Sequence, residues 1–226
     1  MEPKTDLLEK GAILQRDGES YAIVPHIPGG VILDFNLLRK IADVSEKYGA
    51  KALKLTSAQR IAIAGIPEEN IDAILEDLGM AKGAGGGLCV RSVKICPATH
   101  FCKQAQQDGL TLGLEIDKLY HGMELPGKLK IGVSGCTNSC AEGWVKDIGL
   151  IGTAKGWNVV IGGCAGARAR VADLLVGPVS QAEVIPLIDK IIAYYKGNAR
   201  KHERIGIMID RLGLVNVKQG ILSESV

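Results

Sequence analysis

Cys96-Pro97-Ala98-Thr99-His100-Phe101-Cys102 is followed by Cys136-Thr137-Asn138-Ser139-Cys140, two cysteine pairs of the form C-x5-C and C-x3-C with 33 residues between them. Four thiolates brought to one place make an iron–sulfur cluster site. Zinc is the main competitor. Zinc pairs, however, usually hold two to four residues between the cysteines, and no histidine stands at a zinc-finger spacing. A disulfide is the third reading. It is disfavoured because the N-terminus, Met1-Glu2-Pro3-Lys4-Thr5-Asp6, has no basic-then-apolar signal pattern. The chain is therefore expected to be soluble and cytoplasmic, where thiols stay reduced.

Working outward, 226 residues are enough for one large or two small domains with a real core. A formal net charge of +2 is too small to suggest a nucleic-acid partner. No apolar stretch reaches the ~18 residues of a membrane span. The 29 glycines suit tight turns and close approach of backbone to its neighbours.

Upstream of the cysteines, residues 20–27 read as a strand, and Asp34 is placed to cap a helix through Tyr48 that Gly49 ends. Lys51–Thr56 and Arg60–Ala64 read as strands, and Pro67 starts a helix closed by Gly79. This β-α-β-β-α order predicts a ferredoxin-like half domain over 1–82. Gly83-Ala84-Gly85-Gly86-Gly87 reads either as a flexible linker or as backbone passing close to a cofactor. An α/β domain is expected over 83–226, giving an α+β chain overall. Within it, Leu88–Ile95 and Lys128–Ser134 are expected to be strands that deliver the two cysteine pairs. Helices are expected over 99–108 and 111–121, with further strands over Val145–Thr153 and Asn158–Ile161. Ser180 and Glu183 form a capping box for a helix to Tyr195, and 201–212 reads as a last short helix.

The cysteine segments, with Asn138 inside the second pair, resemble the cofactor region of the nitrite and sulfite reductases that couple sirohaem to a [4Fe–4S] cluster. Family-like segments run from about residue 20 to 212. Size and layout are similar to those of the small assimilatory-type sulfite reductases. The resemblance implies Cys96, Cys102, Cys136 and Cys140 as cluster ligands, with Cys140 also bridging to the sirohaem iron. It further implies reduction of sulfite to sulfide, with nitrite to ammonia as the alternative. No flavin or nicotinamide motif is seen, so an external electron-donor protein is expected. A cluster-only electron-transfer or accessory subunit is the reading from a different class.

Small anions and a macrocycle rich in carboxylates call for cations. Arg91 matches a family Arg-x-Val position. Lys128 and Lys130 match a Lys-x-Lys element, and strand alternation puts these two on one face. An edge strand blunted by lysine is the plain alternative. Thr56-Ser57-Ala58-Gln59-Arg60 resembles a family Thr-x-Arg-Gln element but has Ala58 where the arginine belongs, which leaves Lys54 or Arg60 as the substitute. Gly162 and Gly163 with Arg168 and Arg170 resemble a Gly-Gly…Arg segment near the macrocycle, although a solvated basic turn would read the same way. Longer relatives contain the unit twice, one copy giving the cysteines and the other the cations, which implies a homodimer for a chain with one copy. Cys89 and Cys164 fall outside the quartet and read as core residues.

Overall fold

The computed structural model describes residues 3–223, and the chain divides into two compact units, Met1–Gly87 and Leu88–Val226. In the first, β1 (Ala12–Leu14), β2 (Tyr21–Ile23), β3 (Ala52–Leu55) and β4 (Ile61–Ile66) form an antiparallel sheet in the order β1-β2-β4-β3. Two helices, α1 (Asn36–Lys47) and α2 (Ile71–Leu78), supply Ile41, Val44, Ile71, Ile74 and Leu78 to a core shared with Ile23, Ile61 and Ile63. Burying each such side chain contributes roughly 1.5–3 kcal/mol. Gly49 and Gly79, at φ 66° and 59°, end the two helices in the left-handed conformation that glycine tolerates. Asp34 does not cap α1 directly. Its Oδ1 accepts the Asn36 N–H at 2.9 Å in a turn that feeds the helix.

Three features of this unit depart from the sequence reading. β1 is an additional strand, joined to β2 by a turn through Asp17-Gly18 in which the Gln15 N–H donates to Ser20 O at 2.8 Å. β3 is a strand as expected, but it lies at the sheet edge with Leu53 47% and Leu55 74% exposed, so its alternation does not mark a core face. The glycine run does not hang free at Gly83. The Gly83 N–H donates to Val24 O at 2.8 Å, and a side chain at Gly83 would collide with that carbonyl.

The second unit is built on a five-stranded mixed sheet in the order β5 (Lys94–Ile95), β6 (Ile131–Ser134), β7 (Ile148–Thr153), β8 (Gly156–Ile161), β9 (Asp173–Val179). β5, β6 and β7 are mutually parallel, and β7, β8 and β9 antiparallel. Between β5 and β6 lie the single turn α3 (Ala98–Phe101) and α4 (Gly109–Tyr120), which packs on both strands as a crossover must. Asp108 caps α4 by accepting the Thr111 N–H at 3.1 Å. After the sheet come α5 (Gln181–Asn198), α6 (Ile205–Leu212) and α7 (Leu214–Leu222). The Ser180–Glu183 capping box forms as read. The expected strand over 88–95 shortens to two residues, preceded by the isolated bridges Cys89–Glu124 and Val90–Leu129. β9 and α7 are additions to the sequence reading.

Candidate functional site

Two adjacent parallel strands set the site. Ile95 of β5 is in register with Val133 of β6, and Cys96 and Cys136 follow just past the carboxyl ends of these strands. Ligands of open α/β sheets gather at that end. The pairing continues into the loops: the Cys96 N–H donates to Val133 O at 3.1 Å, and the Gly135 N–H donates to Cys96 Sγ at 3.2 Å. Gly135 O accepts the N–H groups of Gln106 and Gln107 at 2.7 and 3.0 Å, which pulls in the chain after Cys102. The second loop is knitted from within. Ser134 Oγ accepts the Ala141 N–H at 3.0 Å, and Ser139 Oγ accepts the Gly143 N–H at 3.1 Å.

All six cysteines are free thiols. Cys96 and Cys136 are buried, Cys102 is half-buried and Cys140 is exposed, with exposed Asn138 beside it. Among the described residues, no three His, Cys, Asp or Glu side chains meet around one point as a single zinc ion would need. A [4Fe–4S] cluster makes a different demand, because each thiolate binds its own iron. A cysteine quartet on two neighbouring loops, with the Gly135 N–H directed at the Cys96 sulfur, fits such a cluster.

A charged network that the sequence reading did not anticipate braces these loops. Glu142 takes Lys146 Nζ on Oε2 and Lys94 Nζ on Oε1, each at 2.8 Å. Those hydrogen bonds, first from Lys146 and then from Lys94, pull the Glu142 carboxyl down to about 2. Lys94 lies two residues before Cys96 and Glu142 two after Cys140, so the network spans both cysteine segments.

Arg91, Lys128 and Lys130 come together at the opposite end of the same strands. The Arg91 N–H donates to Leu129 O at 2.9 Å, and Leu129 N–H donates to Cys89 O at 3.1 Å. Lys128 and Lys130 are half-buried on either side of fully buried Leu129. Burial pushes the Arg91 guanidinium below its ordinary value. Burial also lowers Lys130, with Lys128, Lys146 and Arg204 adding repulsion. Asp147 is wholly buried beneath this end and bonded to Arg204, a pair the sequence reading missed.

Gly162 and Gly163 are buried at the end of β8. A Cβ on Gly163 would lie 2.7 Å from Lys146 N, Lys146 O and Trp144 O, so glycine is required there for close packing. Arg170 spends its guanidinium on Asp173 at 2.7 Å, Asp210 at 3.1 Å and Gly162 O at 3.2 Å, and so shapes this turn. Arg168 is exposed on the intervening hairpin. Arg60 belongs to the first unit, buried in the β3–β4 turn, where its N–H donates to Thr56 Oγ1 at 3.2 Å. His100 faces Asp108 at 3.3 Å.

The family model described as the nitrite and sulphite reductase 4Fe-4S domain matches residues 86–226, and that of the nitrite/sulfite reductase ferredoxin-like half domain matches 13–81. The chain belongs to the nitrite and sulphite reductase family. Like other members, it is an oxidoreductase whose cofactors are a [4Fe–4S] cluster and sirohaem. It is 38% identical over 213 residues to an assimilatory-type sulfite reductase of Nitratidesulfovibrio vulgaris, covering 94% of this chain and 97% of that protein. It is 37% identical to the NAD(P)H nitrite reductase of Bacillus subtilis, of which it spans only 26%. The fold matches the crystal structure of dissimilatory sulfite reductase I with a TM-score of 0.82 at 16% identity, over 92% of this chain and 70% of that one. Among the described residues no helix is long and apolar enough to cross a membrane.

Proposed function

We propose that this member of the family performs the six-electron reduction of sulfite to sulfide, with electrons from an external protein donor. The observation that carries the reading is the match over nearly the full length of an assimilatory-type sulfite reductase, in a chain that keeps both the cysteine quartet and the cations. Nitrite is the second reading, because NAD(P)H nitrite reductases match the same residues.

Cys96, Cys102, Cys136 and Cys140 hold the cluster in this reading. Cys140 would also hold sirohaem, in keeping with its exposure where the other three are covered or half-covered. Asn138, Gly162, Gly163 and Arg168 would hold the macrocycle, with Arg170 bracing the turn, and Arg60 is the first unit's own candidate for meeting a carboxylate. When bound, the two groups would supply the electrons of the reduction one at a time. Arg91, Lys128 and Lys130 bind the anion and deliver protons as its oxygens leave as water.

The two sets of residues lie at opposite ends of one strand pair. Lys130 and Cys136 lie just outside the two ends of β6, six residues apart, or roughly 20 Å if that stretch is extended. This spacing supports a symmetric homodimer in which each chain's cations serve the partner's cofactors. A cytoplasmic setting fits free cluster thiols.

A visible spectrum of the purified protein tests the cofactor assignment. Soret-type and red bands are expected, whereas a broad shoulder alone would mean a cluster-only accessory protein. Steady-state turnover with a reduced donor separates the substrates. A higher kcat/KM for sulfite is expected, and a clear preference for nitrite overturns the assignment.

A further inference from the structure

Asp147 is fully buried and accepts three N–H donors on its two carboxylate oxygens. Arg204 Nε donates to Oδ1 at 2.7 Å, Arg204 Nη2 to Oδ2 at 2.6 Å, and the backbone N–H of Lys130 to Oδ2 at 2.7 Å. Its own carbonyl accepts the Gly162 N–H at 2.8 Å, and the Ile148 N–H donates to Lys130 O at 3.2 Å. Arg204 Nη1 reaches Cys164 Sγ at 3.5 Å. One residue thus joins three places: its side chain holds the head of β6 and the head of α6, and its main-chain carbonyl holds the glycine turn after β8. Burying such a pair is costly, and each member would be more costly still without the other.

We infer that Asp147 is a positioning residue of the anion site, fixing the Lys128–Lys130 segment against the Gly162–Gly163 turn; this rests on the reading of those lysines as the groups that bind sulfite. The charges point the same way. The groups facing the Lys130 amine are Lys128 from its own segment, Lys146 and Asp147 from the turn before β7, and Arg204 from the start of α6. Three of these are cations that disfavour a protonated amine, and Asp147 is the one group that favours it. A lysine that binds an anion and gives up protons must be charged when substrate arrives. Asp147 therefore fixes where Lys130 stands and favours its charged form against burial and the three cations.

The protonation of Lys130 can be read without turnover. The full-length protein is treated with an amine-acylating reagent across a pH series, and acylation of Lys130 is quantified by mass spectrometry, since only the neutral amine reacts. Asp147→Asn removes the favourable charge, so the labelling midpoint should fall. Arg204→Gln removes a repelling cation and frees Asp147 to act on the amine, so the midpoint should rise. General loosening of the site would instead move both variants upward, toward the ordinary lysine value of about 10.4. In the holoenzyme, the alkaline limb of kcat/KM for sulfite should move the same way as the labelling in each variant. A midpoint that stays or rises in Asp147→Asn, or two variants that shift together, overturns the inference. If Asp147→Asn does not fold, Arg204→Gln carries the test: its thermal midpoint should fall because Asp147 loses its buried partner, while in the folded variant the Lys130 labelling midpoint should rise and those of the other lysines stay, and an unmoved Lys130 overturns the inference. A shift in labelling with no sulfite reduction would sink the proposed function alone, and normal sulfite reduction with no shift would sink this inference alone.

Discussion

Gly135 stands between the end of β6 and Cys136, and its place has no room for a side chain. A Cβ there would lie 2.7 Å from Gln107 O and 3.0 Å from Ala98 Cβ, in the loop of the other cysteine pair. Gly135→Ala should therefore push the two cysteine loops apart. We expect an intact far-ultraviolet circular dichroism spectrum with most of the cluster's absorbance and iron content lost, whereas full iron occupancy would refute the point. Lys130 gives the complementary case, since it is remote from the cysteines along its own strand. Lys130→Ala should keep the iron and lose roughly 10²–10³ in turnover, the usual cost of one charged donor at developing negative charge. Wild-type turnover would remove it from the site. The cysteines were legible in the sequence because their ligand chemistry belongs to the residue itself. Asp147 and Arg204 were not, because 57 residues separate them and only the tertiary fold makes them a pair. Two opposite charges, Lys146 and Asp147, at the mouth of an apolar strand were the one available hint.

Among the elements, the head of α6 shows how pH enters stability. Glu203 accepts Arg211 Nε at 2.8 Å and Nη2 at 2.7 Å, and the Arg200 N–H at 2.8 Å. Arg211 first, then the Arg200 N–H, hold its carboxyl at about 2, below the ordinary 4.5. A depressed carboxylate contributes stability above its unfolded value and loses it as pH falls through the folded one. Glu203→Gln should therefore be less stable than wild type by about 1–3 kcal/mol near neutral pH. That gap should close between pH 4.5 and about 2. Denaturant titrations across this window check it, and a gap constant with pH would exclude the carboxylate as its source. At this scale much of the fold could be read in advance. Apolar spacing gave α1 and α2, and the Ser180–Glu183 box gave the start of α5. β1 is only three residues long, although Asp17-Gly18 is a hairpin signal that would have exposed it. β9 contains Gly177 and Pro178, residues that argue against a strand interior and hid one at the sheet edge. β3 had the right alternation for a buried face, yet an edge position overrides pattern.

For the molecule as a whole, the separation of cations from cysteines along β6 makes complementation the decisive experiment. A Cys140→Ser chain and a Lys130→Ala chain should each be inactive, and exchange of subunits between them should restore activity. A mixed dimer holds one site with both sets intact, so recovery of up to about half the wild-type activity per mixed dimer is expected. No recovery from demonstrated mixed dimers, or a fully active monomer, would sink the shared site. The cysteine end carries a separate consequence. Backbone hydrogen bonds of β5, β6 and β7 hold the two cysteine loops at a set spacing through the sheet itself rather than through metal ligation. Small zinc domains, by contrast, depend on their metal to fold at all. Maturation of this protein is then expected to be a matter of delivery rather than of folding: chelation of the iron should leave the far-ultraviolet circular dichroism spectrum in place, and collapse of that spectrum would overturn this expectation.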